Sequence, residues 1–246
     1  MSLTDTFIDL AERGILPDFL IRAGIRNLCR TRLKQCRTDD CEANAELAEN
    51  YIKSVDESPL AVLTDKANQQ HYEVPASFYH KVLGKNLKYS SCYFDDLVSD
   101  LTTAENRGLE LTCVHADLQD GQHILELGCG WGSLSLWMAK NFPKAKITSV
   151  SNSNSQREYI MGQAKKRELK NLKVITADVN SFETDATFDR VVSVEMFEHV
   201  RNHRGLFQRI HAWLKPQGKL FTHVFCHRST SYPFEVEGED DWMSKH

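Results

Sequence analysis

No apolar run in this 246-residue chain approaches the roughly 18 to 20 residues needed to span a bilayer. The opening MSLTDTFIDLAERG carries acids early and lacks the basic-then-apolar order of a secretory leader. There is no excess of positive charge. Thirty Lys+Arg against 34 Asp+Glu leave a formal net charge of -4, which argues against a dedicated nucleic-acid binder. The seven cysteines, at 29, 36, 41, 92, 113, 129 and 226, form no C-x-x-C pair and have no His at zinc spacing, so they read as reduced and structural, with no metal expected. Proline is absent between Pro17 and Pro59, which leaves that stretch free to be helical. What remains is a cytoplasmic enzyme or binding domain, with one large domain or one domain plus a helical appendage.

Within that proline-free stretch Leu20, Ile21, Ile25, Leu28 and Leu33 recur at helical spacing, and Arg22, Arg26, Arg30, Arg32, Lys34 and Arg37 accompany them with no acid from Leu20 to Arg37. Such a helix either makes peripheral contact with an anionic membrane or packs with a solvated charged face. A second helical segment runs through CEANAELAENYIKSV and breaks near Ser58 and Pro59. From Gln69 the texture becomes QQHYEVPASFYHKVLGKNLKYSSCYF, whose aromatics and hydroxyls suit a packing collar or a pocket wall. Thr102-x-x-Glu105 has capping-box form and predicts a helix from Thr102 to about Leu118. The boundaries expected are an N-terminal helical region at 1–68, a helical cap at 69–120 and a core at 121–246.

After Asp120-Gly121 strands and helices alternate. Apolar, partly β-branched runs occur at 123–129, 145–151, 172–178, 189–195 and 218–225, with helical patterns at SLSLWMAKNF, SQREYIMGQAKKREL and HRGLFQRIHAWL. Parallel strands need crossovers, and crossovers cover both faces of a sheet, so the pattern predicts an α/β, doubly wound, Rossmann-like fold with a ligand crevice at the carboxyl ends of its strands.

The strongest local signal is ILELGCGWGSL, which sets Gly128, Gly130 and Gly132 between the first strand and a helix. Glycines there let the backbone turn tightly and approach a ligand. A dinucleotide fingerprint would need its third glycine at 133, where Ser133 stands. With Glu126 before the turn, the spacing resembles motif I of class I methyltransferases, which use S-adenosylmethionine. After the second strand, where many of those enzymes carry a ribose-binding acid, this chain has TSVSNSNSQ. That departure, together with QQHYEVPASFY, LKYSSCYF, SNSNSQREYI, ADVNSF and SVEMFEH in order from about Gln70 onward, resembles the cyclopropane-fatty-acyl-phospholipid synthase and coclaurine N-methyltransferase-like superfamily.

The resemblance implies S-adenosylmethionine as methyl donor. Tyr89 and Ser90 would contact its methionine and sulfonium region, Gly128, Gly130 and Gly132 its aminocarboxylate side, Asn152 and Gln156 its ribose, and Asp178 and Val179 its adenine, with Val194 completing the set. In the N-methyltransferase branch the residues matching Glu198 and His199 bind, orient and deprotonate an amine, and Glu195 lines the junction of donor and acceptor. A His near its reference pKa of about 6.5 suits such an exchange. Cyclopropane synthases typically have Gly where Glu195 stands and Cys where Ser91 stands, although Glu198 and His223 match other positions of their bicarbonate pocket. The expectation is therefore N-methylation of a small amine. The alternatives are lipid methylene or methyl transfer and a donor-binding form without activity. The resemblance also implies seven strands in the order 3-2-1-4-5-7-6, of which five are visible here. The reading thus expects a missing closing hairpin, weakened activity, and a fifth strand whose open edge invites self-association.

Overall fold

A computed structural model describes residues 3–36, 40–61 and 76–227. The chain divides into two compact units, Met1–Ser54 with Cys226–His246, and Val55–Phe225. The aromatic-rich motif before residue 76 and the acidic stretch from 228 onward lie outside the described residues.

The first unit contains α1 (Leu3–Glu12), α2 (Asp18–Cys36) and most of α3 (Cys41–Asp56). Pro17 precedes α2, and its carbonyl accepts from Leu20 N at 3.0 Å, while Asp18 and Arg22 pair one turn apart at 3.1 Å. Along α2, Arg22, Arg26, Arg30 and Lys34 recur every fourth residue and are all exposed, as are Phe19, Ile25, Leu28 and Leu33. Among the described residues no helix is long and apolar enough to cross a membrane.

The second unit holds α4 (Ala76–Val82), α5 (Leu101–His115), β1 (His123–Leu127), α6 (Ser133–Asn141), β2 (Lys146–Ser151), α7 (Asn154–Lys166), β3 (Leu172–Thr176), β4 (Phe188–Val194), a 3-10 turn at Phe197–His199, α8 (His203–Trp213) and β5 (Leu214–His223). The five strands are parallel, in the order β3-β2-β1-β4-β5. Neighbouring residues of one strand face opposite sides, which gives the sheet two cores. Ile124, Ile147, Val174 and Val192 pack with Leu109, Met138 and Ile160 on one face; Leu125, Leu127, Val150 and Val191 pack with Phe197, Leu206, Ile210 and Trp213 on the other. Ile124, Leu125, Val191 and Val192 are fully buried, each worth about 1.5–3 kcal/mol in transfer free energy. The sheet therefore reads as apolar runs rather than as alternation.

Strands β1 and β3 end two residues earlier than expected, at Leu127 and Thr176, and two further boundaries differ for physical reasons. Helix α5 starts at Leu101, because the carboxylate of Asp100 caps it, accepting from Thr103 N at 3.0 Å and Thr103 Oγ1 at 2.6 Å. Glu105 is not part of a capping box. It is fully buried and accepts the backbone N–H groups of Asn86 at 2.9 Å and Lys88 at 3.3 Å. Strand β5 starts at Leu214 rather than 218, with a register irregularity opposite Phe188 and Arg190 that absorbs Pro216, Gln217 and Gly218. It ends at His223, so Val224 and Phe225 lie beyond the ladder. Among the described residues β5 is an edge strand, paired on one side by β4.

Candidate functional site

The central β1 is flanked by β2 and β4, whose crossovers run in opposite directions, and its carboxyl end opens at the switch point where this architecture binds ligands. Strand β1 stops at Leu127 because Gly128 turns at φ +78, with the N–H groups of Gly128 and Cys129 both donating to Val150 O, at 3.0 and 3.1 Å. A Cβ at Gly128 would lie 2.6 Å from Met196 Cγ, and one at Gly132 would lie 2.5 Å from Ile160 Cγ1. Under the turn, Glu126 is buried and its Oε2 accepts from Ser135 Oγ at 2.5 Å and Ser149 Oγ at 2.7 Å. Burial pushes this carboxyl above its ordinary range, against the pull of the two hydroxyls.

An aromatic wall covers the turn. Tyr89 packs over Gly130, 3.1 Å from where a Cβ would stand, and meets Tyr79 edge-on with ring centroids 5.5 Å apart; Tyr79 and Tyr159 in turn contact Trp131. Trp131 and Tyr159 were not selected from the sequence, although Trp131 sits inside the glycine motif itself.

The buried polar atoms without a partner are concentrated at this end of the sheet. Among the described residues they are Trp131 Nε1, Ser133 Oγ, Gln156 Nε2, Thr176 Oγ1, Glu198 Oε2 and Arg209 Nε. Thr176 ends β3, Trp131 and Glu198 lie in the turns after β1 and β4, and Ser133 and Gln156 lie in the first turns of α6 and α7. Gln156 is nearly inaccessible at 1% exposure, and its Oε1 accepts from Ser151 Oγ at 2.7 Å. Asn152, half-buried, lies between β2 and the N-cap Ser153. After β3, the Asp178 carboxylate accepts from Asn180 N at 2.7 Å, and Arg209 of α8 binds the carbonyls of Val179 at 2.8 Å and Asn180 at 3.1 Å, and that of Phe182. Arg209 thus shapes the turn carrying Asp178 and Val179, a role no local pattern announces.

The expected site residues at and beyond the end of β4 fall into two groups. Val194 pairs with His223 at the end of the β4–β5 ladder. Glu195 follows with φ +52, its N–H donating to His223 O at 2.7 Å. Its carboxylate receives Ser90 Oγ at 2.5 Å and Ser91 Oγ at 2.9 Å. Burial alone would raise the Glu195 carboxyl, but the two hydroxyls, His223 and Lys88 together outweigh it and hold the group below its ordinary value. Glu198 belongs to the second group: Oε1 accepts from Phe225 N at 2.8 Å, while Oε2 is one of the unpartnered atoms. His199 closes the 3-10 turn, exposed, with its N–H on Met196 O at 3.0 Å. A cleft of about 400 Å³ is lined by Ser91, Tyr93, Leu111, Phe221, His223 and Val224 among others.

The strand order, the glycine turn at the switch point and the polar atoms gathered around it define a Rossmann-like α/β domain of the methyltransferase type. The sequence profile of the mycolic acid cyclopropane synthetase family matches residues 63–246, and the chain belongs to that family. Among its relatives, (S)-coclaurine N-methyltransferase of Thalictrum flavum subsp. glaucum is 37% identical over 236 residues, 96% of this chain. Pavine N-methyltransferase of the same plant is 35% identical over 235 residues, again 96% of this chain. The chain spans 65% and 66% of those two proteins' lengths. A crystal structure of coclaurine N-methyltransferase bound to N-methylheliamine and SAH superposes with a TM-score of 0.92 at 34% identity, covering 99% of this chain and 70% of that one.

Proposed function

We propose that this chain is an S-adenosylmethionine-dependent methyltransferase that N-methylates a small amine. The observation that carries the reading is the set of buried, unpartnered polar atoms after β1 to β4, because an unpaired buried group costs about 1–3 kcal/mol and is tolerated where a ligand supplies its partner. When bound, S-adenosylmethionine supplies a methyl group on a positively charged sulfur that is left as a neutral thioether. Gly128, Gly130 and Gly132 leave backbone open to its aminocarboxylate, and Tyr89 and Ser90 face the sulfonium side, where an aromatic ring favours positive charge. Gln156 and Asn152 take the ribose, Asp178 and Val179 the adenine, and Val194 gives an apolar contact at the junction. The carboxylate of Glu195 after β4, where cyclopropane synthases typically have Gly, suits an amine better than an alkene. An amine that is protonated at neutral pH must give up that proton before its lone pair can take the methyl group, and Glu198 with His199 orients it and accepts the proton while Glu195 lines the junction of donor and acceptor. The N-methyltransferase relatives and the N-methylated ligand in the neighbouring crystal structure support the same acceptor class.

Lipid modification is the second reading, favoured by the exposed Arg22, Arg26, Arg30 and Lys34 stripe beside exposed Phe19, Ile25 and Leu28, which suits peripheral contact with an anionic bilayer. Incubation with methyl-labelled donor and separate pools of amines and phospholipids tests both. Label in the amine pool is expected; label only in lipid overturns the first reading in favour of the second.

A further inference from the structure

Between the end of α3 at Asp56 and Ala61 the chain runs outside helix and ladder, and side chains from two other loops hold it in place. On one side Asn180, in the turn after β3, grips Ala61 with its whole carboxamide. Ala61 N donates to Asn180 Oδ1 at 2.9 Å, and Asn180 Nδ2 donates to Ala61 O at 3.1 Å. On the other side Ala61 forms an antiparallel bridge with Val200, the residue after His199, and Arg201 N donates to Leu60 O at 2.7 Å. Asn202 Nδ2 donates to the carbonyls of Asp56 and Ser58 at 3.0 Å each, while its Oδ1 caps α8 by accepting from Gly205 N at 2.7 Å. Arg204 pairs with Asp56 at 2.8 Å. Leu60 packs on the core that holds Phe197 and Leu206, so close to α8 that a Cβ on Gly205 would stand 2.9 Å from its Cδ2.

These bonds form one path across the carboxyl end of the sheet. Asn180 N donates to the Asp178 carboxylate at 2.7 Å, so the residue that grips Ala61 also fixes the acid of the turn after β3. Ala61 therefore stands between the turn carrying Asp178 and Val179 and the turn carrying Glu198 and His199, joined to both. We propose, resting on the assignment of those turns to donor and acceptor, that Asn180 is a positioning residue: through Ala61 it ties the two turns together, so that filling the donor site steadies the acceptor turn. A stretch held by a few bonds rather than by a ladder opens locally at low cost, and its order depends on each of them. A ligand on Asp178 and Val179 restricts their turn and with it the Asn180 carboxamide, which favours the state in which Ala61 and Val200 are paired. Methyl transfer gains from such a tie because the reacting atoms must be held in line.

The test reads amide hydrogen exchange by NMR in the full chain, with SAH as the probe. The Arg201 amide is the informative one, since its acceptor, Leu60 O, is left in place by any change at Asn180. Without ligand, Asn180→Ala is expected to speed Arg201 exchange about tenfold, the size of a lost hydrogen bond transmitted along the segment. Saturating SAH is expected to slow Arg201 exchange about fivefold or more in wild type and less than about twofold in Asn180→Ala, while the Cys129 amide of the glycine turn is slowed alike in both. Asn180→Asp keeps an acceptor for Ala61 N and loses the donor to Ala61 O; it is expected to act in the same direction and serves if Asn180→Ala does not fold. With the amine identified by label transfer, SAH is expected to tighten amine binding about fivefold or more in wild type and to lose that effect in the variant. Arg201 exchange that is unchanged in the ligand-free variant, that SAH does not slow in wild type, or that SAH slows equally in both proteins overturns the proposal. Absence of SAH binding to wild type overturns the proposed donor site instead, and the ligand-free comparison then decides whether Asn180 ties the two turns.

Discussion

The Ser90 hydroxyl donates to Glu195 Oε2 at 2.5 Å, joining residues 105 positions apart in the chain. With Ser91 on the other oxygen, the carboxylate at the end of β4 is gripped by the loop that also presents Tyr89 to the glycine turn. The proposed donor and acceptor contacts are therefore mechanically one unit.

Ser90→Ala should cost catalysis more than stability. A hydrogen bond to a charged group is worth about 1.5–3 kcal/mol, and roughly each 1.4 kcal/mol of lost transition-state stabilisation is tenfold in rate. On the amine identified by label transfer, kcat/KM should fall about 10- to 100-fold, and Ser91→Ala should fall less because its 2.9 Å bond is at a more exposed residue. Equal activity in wild type and both variants would show that the clamp has no part in the reaction.

Gly128→Ala should fail for two separable reasons. A side chain at φ +78 costs about 1–2 kcal/mol in backbone strain, and the new Cβ meets Met196 Cγ at 2.6 Å. Adding Met196→Gly, which removes both the Cγ at 2.6 Å and the Cβ at 2.7 Å, should recover the steric part in urea unfolding while leaving the backbone part. No recovery in the double variant would mean that Met196 does not set the limit on Gly128.

The alternation of strands and helices after Asp120 was legible because parallel strands buried on both faces carry adjacent apolar residues, as Val191 and Val192 do in β4. The glycine turn was legible because its conformation is local. What escaped depends on partners distant in sequence. Thr102-x-x-Glu105 reads as a capping box, yet Glu105 is drawn inward by the N–H groups of Asn86 and Lys88, and Asp100 caps α5 instead. The fifth strand reads as starting at Gly218, but its pairing with β4 already begins at Leu214, ahead of Pro216 and Gln217. Arg209 looks like any helix-surface base until the carbonyls of the turn after β3 are brought against it.

Gln156→Leu separates ligand binding from folding. The residue is buried, and of its side-chain amide only Oε1 has a protein partner, the Ser151 hydroxyl. Leucine removes the unpaired amide and deprives Ser151 of its acceptor, two effects of opposite sign and about 1–3 kcal/mol each, so the urea midpoint should change little. SAH affinity by calorimetry should fall about tenfold or more, the value of one lost hydrogen bond. Unchanged affinity would remove Gln156 from the donor site.

Asp117 makes the acid limb of stability a test of the opposite end of the sheet. Its carboxylate is held by Lys219 Nζ at 2.8 Å, by Arg190 Nη2 at 2.5 Å and by Gln119 Nε2 at 3.3 Å, and these donors, Lys219 foremost, bring its pKa from 3.8 down to about 2. A depressed carboxyl stabilises the fold above its unfolded value and loses that contribution as pH falls through the folded one. Wild type should therefore lose urea resistance progressively between pH 3.8 and about 2. In Asp117→Asn that part of the slope should disappear, with lower stability already present at neutral pH. Asp189, also lowered, by Lys215 and by the N–H of His123, remains in both proteins and supplies a shared background slope. Adding Asp189→Asn should reduce what is left further, and the lowered carboxyls of Asp100 and Glu195 keep the remainder. Superimposable acid limbs for wild type and Asp117→Asn would mean that the same ion pairs persist in the unfolded chain and contribute nothing to its balance with the fold.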